Sequence, residues 1–74
     1  MVDFREYIEI VPGKRGGKPC IKGTRITVYD VLGWMARGMS FDEIIYDFPE
    51  LSKEQIKACL AYAANRKNTI QVTS

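Results

Sequence analysis

The residues able to do chemistry in this chain are few, and their surroundings exclude more than they allow. Cys20 sits between Lys18 and Lys22, two cations of the kind that favour a reactive thiolate. It has no base beside it, and the chain holds no histidine to act as one. Asp42, Glu43 and Asp47 gather carboxylates at helical spacing, which acid–base work would need, but the same spacing describes a solvated helix face. Cys20 and Cys59 stand far apart with no paired cysteine or histidine, so the zinc-binding pattern is missing. Gly13-Lys-Arg-Gly-Gly17-Lys18 brushes against the phosphate-loop pattern, which asks for four residues between its glycines and Ser or Thr after the lysine. This chain has three, then Pro19. The expectation is a protein that is not an enzyme and carries no cofactor or metal.

A binding surface is easier to read than a catalytic one. A short acidic helix, a four-residue turn and a longer helix with a polar N-terminal half follow the helix-turn-helix plan. In that plan Lys53 and Lys57, one turn apart, approach phosphates or base edges, and Gln55 reads adenine. Lys14, Arg15 and Lys18 would add backbone contacts. Glu54 and the acidic helix before it oppose DNA, and an ordinary three-helix bundle gives the same spacing.

The elements that must position these groups follow from punctuation in the sequence. Thr27 with Asp30, Ser40 with Glu43 and Ser52 with Gln55 are three capping boxes in series. Each is flanked by an apolar pair: Ile26 with Val31, Met39 with Ile44, Leu51 with Ile56. Helices are expected over 28–37, ended by Gly38, over 41–48, stopped by Pro49, and over 53–66 with a basic last turn. Their inward stripes are Val31, Leu32 and Met35, then Phe41, Ile44, Ile45 and Phe48, then Ile56, Cys59, Leu60 and Ala63. Trp34 belongs partly to the core, and Ala58, Ala61 and Ala64 permit close approach of another helix or a partner. Residues 7–11 alternate like a strand with Ile8 and Ile10 on one face, and a second extended piece is expected over 19–22. The tail, 68–74, is either frayed or paired at a dimer edge.

Between strand and helices runs Gly16-Gly-Lys-Pro-Cys-Ile-Lys-Gly-Thr-Arg25, a crossing with three glycines, one proline and three cations. Charge is segregated around it. Residues 14–25 carry five bases and no acid, residues 40–50 four acids and no base, within a net charge of only +2. A surface polarised in this way suits an acidic partner or self-association. At 74 residues the chain makes one small domain, 1–74, with a β element and crossing at about 7–25 and helices at about 27–66. No signal peptide or membrane-spanning run is visible, so the expected setting is cytoplasmic, off the membrane, with both cysteines reduced. The unpartnered strand edge and small core predict a homodimer.

Three blocks are distinctive together: Gly17-Lys-Pro-Cys-Ile-Lys-Gly-Thr-Arg-Ile-Thr-Val, Gly38-Met-Ser-Phe-Asp-Glu-Ile, and Phe48-Pro-Glu-Leu-Ser-Lys-Glu-Gln-Ile-Lys-Ala-Cys-Leu-Ala-Tyr-Ala. Over about 8–66 the chain closely resembles the DUF433 family of small bacterial proteins. The resemblance implies a mainly α, homeodomain-like helix-turn-helix bundle of three helices with a short N-terminal β element. It also implies a VapB-like antitoxin paired with a PIN-like ribonuclease toxin, with operator DNA as a further partner. The alternative is a DNA-binding regulator without a toxin. The family motif here is Gly17, Lys18, Pro19, Gly23, Thr24 and Arg25, and the resemblance assigns it no chemical role. Arg25 is expected either to clamp loop carbonyls or Asp30 from inside, or to meet a partner.

Overall fold

Three hydroxyl side chains set where the helices begin. In the computed structural model, which describes residues 3–67, Thr27 Oγ1 accepts from the Asp30 amide at 2.9 Å and Asp30 Oδ2 accepts from the Thr27 amide at 3.1 Å. Ser40 and Glu43 exchange the same pair of bonds at 3.2 and 2.8 Å, and Ser52 and Gln55 at 3.3 and 2.7 Å. All three boxes therefore form, and they open helices α1 (Val28–Ala36), α2 (Phe41–Asp47) and α3 (Lys53–Lys67).

The stops are equally local. Past α1 the Gly38 amide donates to the Met35 carbonyl and the Met39 amide to that of Trp34, the bond pair of a Schellman cap. Gly38 takes φ +98°, a backbone that L side chains rarely adopt. Arg37 is the C-cap, so α1 closes one residue before its expected end. Phe48 caps α2 at φ −129° and ψ 77°, outside the helical region that Pro49 disfavours for the residue before it.

The β element is smaller than its sequence suggests. β1 (Ile8–Glu9) pairs antiparallel with β2 (Cys20–Ile21), Ile8 facing Ile21 and Glu9 facing Cys20. The expected strand over 7–11 is cut short because β2 offers only two residues to pair with. Ile8 is buried, but Ile10 lies beyond the end of β1 and is 58% exposed, so it does not join Ile8 in the core; this corrects the expected alternation. The other edge of β2 is bridged to Thr27, with the Ile21 amide donating to the Ile26 carbonyl and the Val28 amide to that of Pro19. The two-stranded sheet is thus welded to the start of α1.

The core gathers Ile8, Ile21, Val28, Val31, Ile44, Leu51, Ile56, Ala58 and Cys59, with Ile26, Met39 and Trp34 among the half-buried side chains packed against it. Leu60, expected inside, is 40% exposed, while Ala58 is fully buried. The inner face of α3 is turned towards Ala58 and Tyr62, where the N-terminal turn Phe4–Glu6 packs and Phe4 meets Tyr62 edge-on at 5.4 Å. Of the three alanines, Ala58 serves close packing inside the chain. Residues 68–74, read as a frayed or paired tail, lie outside the described residues. No helix among the described residues is long and apolar enough to cross a membrane. Over the described residues the fold is mainly helical, with three helices and a small two-stranded sheet.

Thr27 is 1% exposed and the other two capping hydroxyls are on exposed residues. Thr27→Val keeps the shape but orphans the Asp30 amide, at an expected loss of about 1–2 kcal/mol, with Ser40→Ala and Ser52→Ala costing roughly half as much. In a domain of this size each kcal/mol lowers Tm by roughly 4–8 °C. Thermal unfolding followed by circular dichroism measures all three variants; equal losses would contradict the special position of Thr27.

Candidate functional site

The crossing is held by one arginine, and it is not the expected one. Arg15 lies two residues after Gly13 and begins the short turn Arg15–Gly17, and its own φ is +50°, in the left-handed region that non-glycine residues avoid. Its guanidinium donates from Nη1 to the Arg25 carbonyl at 2.7 Å and to Asp30 Oδ2 at 3.2 Å. The internal clamp on Asp30 expected of Arg25 is therefore made by Arg15, which the glycine-rich turn brings across to α1. The Arg25 side chain is left exposed, and no hydrogen bond or ion pair holds it among the described residues.

The family motif acquires a structural role. Gly23 takes φ +79° and turns the chain. Thr24 Oγ1 donates to the Ile21 carbonyl at 2.9 Å and accepts from the Ile26 amide at 3.0 Å, closing the loop on itself. Pro19 lends its carbonyl to Val28, and Gly17 its positive φ to the turn before it. The motif thus builds a stiff loop whose outward-facing product is Arg25.

That loop forms one wall of an open groove of about 530 Å³. Gly23, Thr24, Arg25 and Ile26 line it on one side, Asp30 and Trp34 come from α1, and Phe48 and Glu50 come from the turn between α2 and α3. Trp34 and Phe48 stack with ring centroids 4.5 Å apart and planes within 10°, which gives the groove an apolar floor. Trp34 is partly buried, as expected, but its stacking on Phe48 and the place of Glu50 were missed. The available signal was the spacing of Asp30 and Trp34, one turn apart on α1 and so on one face.

The six candidate DNA contacts do not share one condition. Lys14 Nζ is paired with Glu9 Oε2 at 3.0 Å and partly buried. Arg15 is engaged as described, and Gln55 Oε1 is held by the Ser52 amide at 2.7 Å, away from any base-reading role while the cap persists. Lys18, Lys53 and Lys57 are exposed and without an ion pair among the described residues. Cys20 is 1% exposed with its thiol donating to the Lys18 carbonyl, so the sulfur is shut away from solvent. Burial pushes the Cys59 thiol up to about 12. Among the described residues no cluster of His, Cys, Asp and Glu could hold a metal ion.

A small domain of three helices and a two-stranded sheet, as seen over the described residues, has known relatives. The family model described as "Protein of unknown function (DUF433)" matches residues 8–63, from the first residue of β1 into α3, and the chain belongs to that family. It is 37% identical over 59 residues to the uncharacterized protein y4eO of Sinorhizobium fredii (strain NBRC 101917 / NGR234). That stretch is 80% of this chain but 27% of y4eO, so the chain spans about a quarter of that relative's length. The crystal structure of a DUF433 member from Anabaena variabilis ATCC 29413 superposes with a TM-score of 0.78 at 29% identity, covering 89% of this chain and 65% of that one.

Partial burial pushes the Asp30 carboxyl up, but the Thr27 amide and hydroxyl and the Arg15 guanidinium outweigh it and hold the group below its ordinary value. A carboxyl lowered in the folded state contributes stability that is present above its unfolded pKa and lost as pH falls through the folded one. Wild-type stability should therefore drop more between pH 7 and pH 3 than that of Asp30→Asn, which keeps a cap acceptor but no charge. Urea midpoints at the two pH values measure this; an identical drop in both proteins would remove Asp30 from the acid response.

Proposed function

We propose that this protein is the antitoxin of a toxin–antitoxin pair and binds a PIN-like ribonuclease toxin. One observation carries the reading: Lys18, Lys22 and Arg25 are exposed on a single connector, unpaired among the described residues, while the neighbouring Lys14 and Arg15 are neutralised by Glu9 and Asp30. The connector is tied to β1 on one side and to α1 on the other, so its cations are presented on a stiff frame. Such a row complements an acidic nuclease surface and steers its approach. The length of y4eO favours the view of this fold as a module that also occurs within larger chains.

The second reading takes α2, the turn over 48–52 and α3 as a homeodomain-like helix-turn-helix on operator DNA. Lys53 and Lys57, exposed one turn apart, favour it. It is weaker, because Gln55 is engaged in its cap and α2 carries Asp42, Glu43 and Asp47. A homodimer would suit either reading. β1 has a neighbour on one edge only among the described strands, and Ile10 and Val11 are exposed beside it.

Co-expression with an adjacent PIN-like reading frame, followed by affinity purification, is the direct test. Wild type should retain the toxin, and Lys18→Glu/Lys22→Glu should release it with the fold intact by circular dichroism; no retention by wild type would end the antitoxin reading. Promoter DNA titrated at two salt concentrations tests the other. Lys53→Ala/Lys57→Ala should weaken binding and lower the slope of log K against log salt by roughly 0.9 for each phosphate no longer neutralised. Equal affinity would exclude α3 as the reader. Light scattering on the eluting protein reports the oligomeric state, and a monomer would dispose of the dimer.

A further inference from the structure

We infer that the groove over the Trp34–Phe48 stack receives an extended peptide segment from a protein partner, with a large apolar side chain seated between an acidic and a basic residue. The floor supplies the apolar anchor, since Trp34 and Phe48 lie parallel and Ile26 joins them in the lining. The walls supply the charges. Arg15 and Asp30 satisfy one another at 3.2 Å, which leaves Arg25 and Glu50 as the groove's charged groups with no partner among the described residues. They come from different segments, Arg25 from the motif-built loop and Glu50 from the turn before α3. A carboxylate has a planar donor fork in Arg25, and an ammonium or guanidinium has an acceptor in Glu50.

The sum of charge chooses the class of partner. Arg15, Arg25, Asp30 and Glu50 cancel, so the groove offers no surplus of cations for a phosphate backbone to displace counterions against. A zwitterionic peptide meets both signs, and a polyanion meets one of them as repulsion. This gives Gly23, Thr24 and Arg25 a purpose: the tight loop places one free guanidinium in the lining of the groove that Trp34 and Phe48 share.

The inference rests on the protein-binding reading but not on any particular toxin, so its test needs none. The full chain, immobilised, is used to select from a random-peptide phage library, and the enriched peptides are synthesised and titrated against it. Trp34 is the sole tryptophan of the chain, and its emission reports occupancy of the groove directly. Enriched peptides should carry Phe, Tyr, Trp or Leu between an acid and a Lys or Arg and should shift Trp34 emission. Arg25→Glu should weaken them at least tenfold, and Arg25→Glu/Glu50→Arg should prefer peptides with acid and base exchanged. Both positions are exposed, and an unchanged far-UV spectrum checks the fold. Failure to enrich any peptide, or unchanged affinity in both charge variants, would overturn the assignment. A Trp34 response to oligouridylate and not to peptides would overturn it in favour of RNA. Co-purification of a toxin can fail or succeed independently of all these outcomes.

Discussion

Everything in this molecule meets at Thr27. Its backbone bridges Cys20, its hydroxyl caps α1, and its amide is held by Asp30, whose carboxylate also holds Arg15. Sheet, crossing and first helix are therefore joined by one buried residue and the acid three positions on. The Thr27 hydroxyl is part of a fully satisfied network, since no buried side-chain polar atom among the described residues lacks a partner. A small core gains more from such a junction than a large one would, because little apolar packing stands in reserve.

The junction also sorts the cations of the basic segment. Those nearest the fold's own acids are paired with them, Lys14 with Glu9 and Arg15 with Asp30. Those the loop turns outward remain available. An excess of positive charge in the sequence thus becomes a much smaller set of presented charges. Local net charge overstates the electrostatic footprint wherever acids from other segments fold back onto it.

Much of the helical part was legible because its signals are local. Thr27, Ser40 and Ser52 each announce a helix start with a partner three residues on, and Gly38 and Pro49 announce the stops. The strand was overread because the alternation of Ile8 and Ile10 says nothing about how many residues the opposite strand will offer. Leu60 was misplaced for a related reason: helical periodicity gives a stripe but not its centre, which the packing of Phe4 on Tyr62 helps to set. Of the groove, only the one-turn spacing of Asp30 and Trp34 on α1 was legible. Arg15 instead of Arg25 reaching Asp30 depends on a left-handed turn, and the Trp34–Phe48 stack joins residues of different helical segments, neither of which leaves a trace in spacing.

The ladder and its neighbour are short in a second sense. Ile8 meets Ile21, Cys20 meets Thr27, and each capping box closes within four residues. Little loop entropy is spent before these pairs form, and the helices can grow from their own nuclei. The longer span from Phe4 to Tyr62 carries the larger closure cost. A chain so rich in near-neighbour pairing folds on a timescale on the order of microseconds to milliseconds, which limits how long its apolar surface stands open during synthesis.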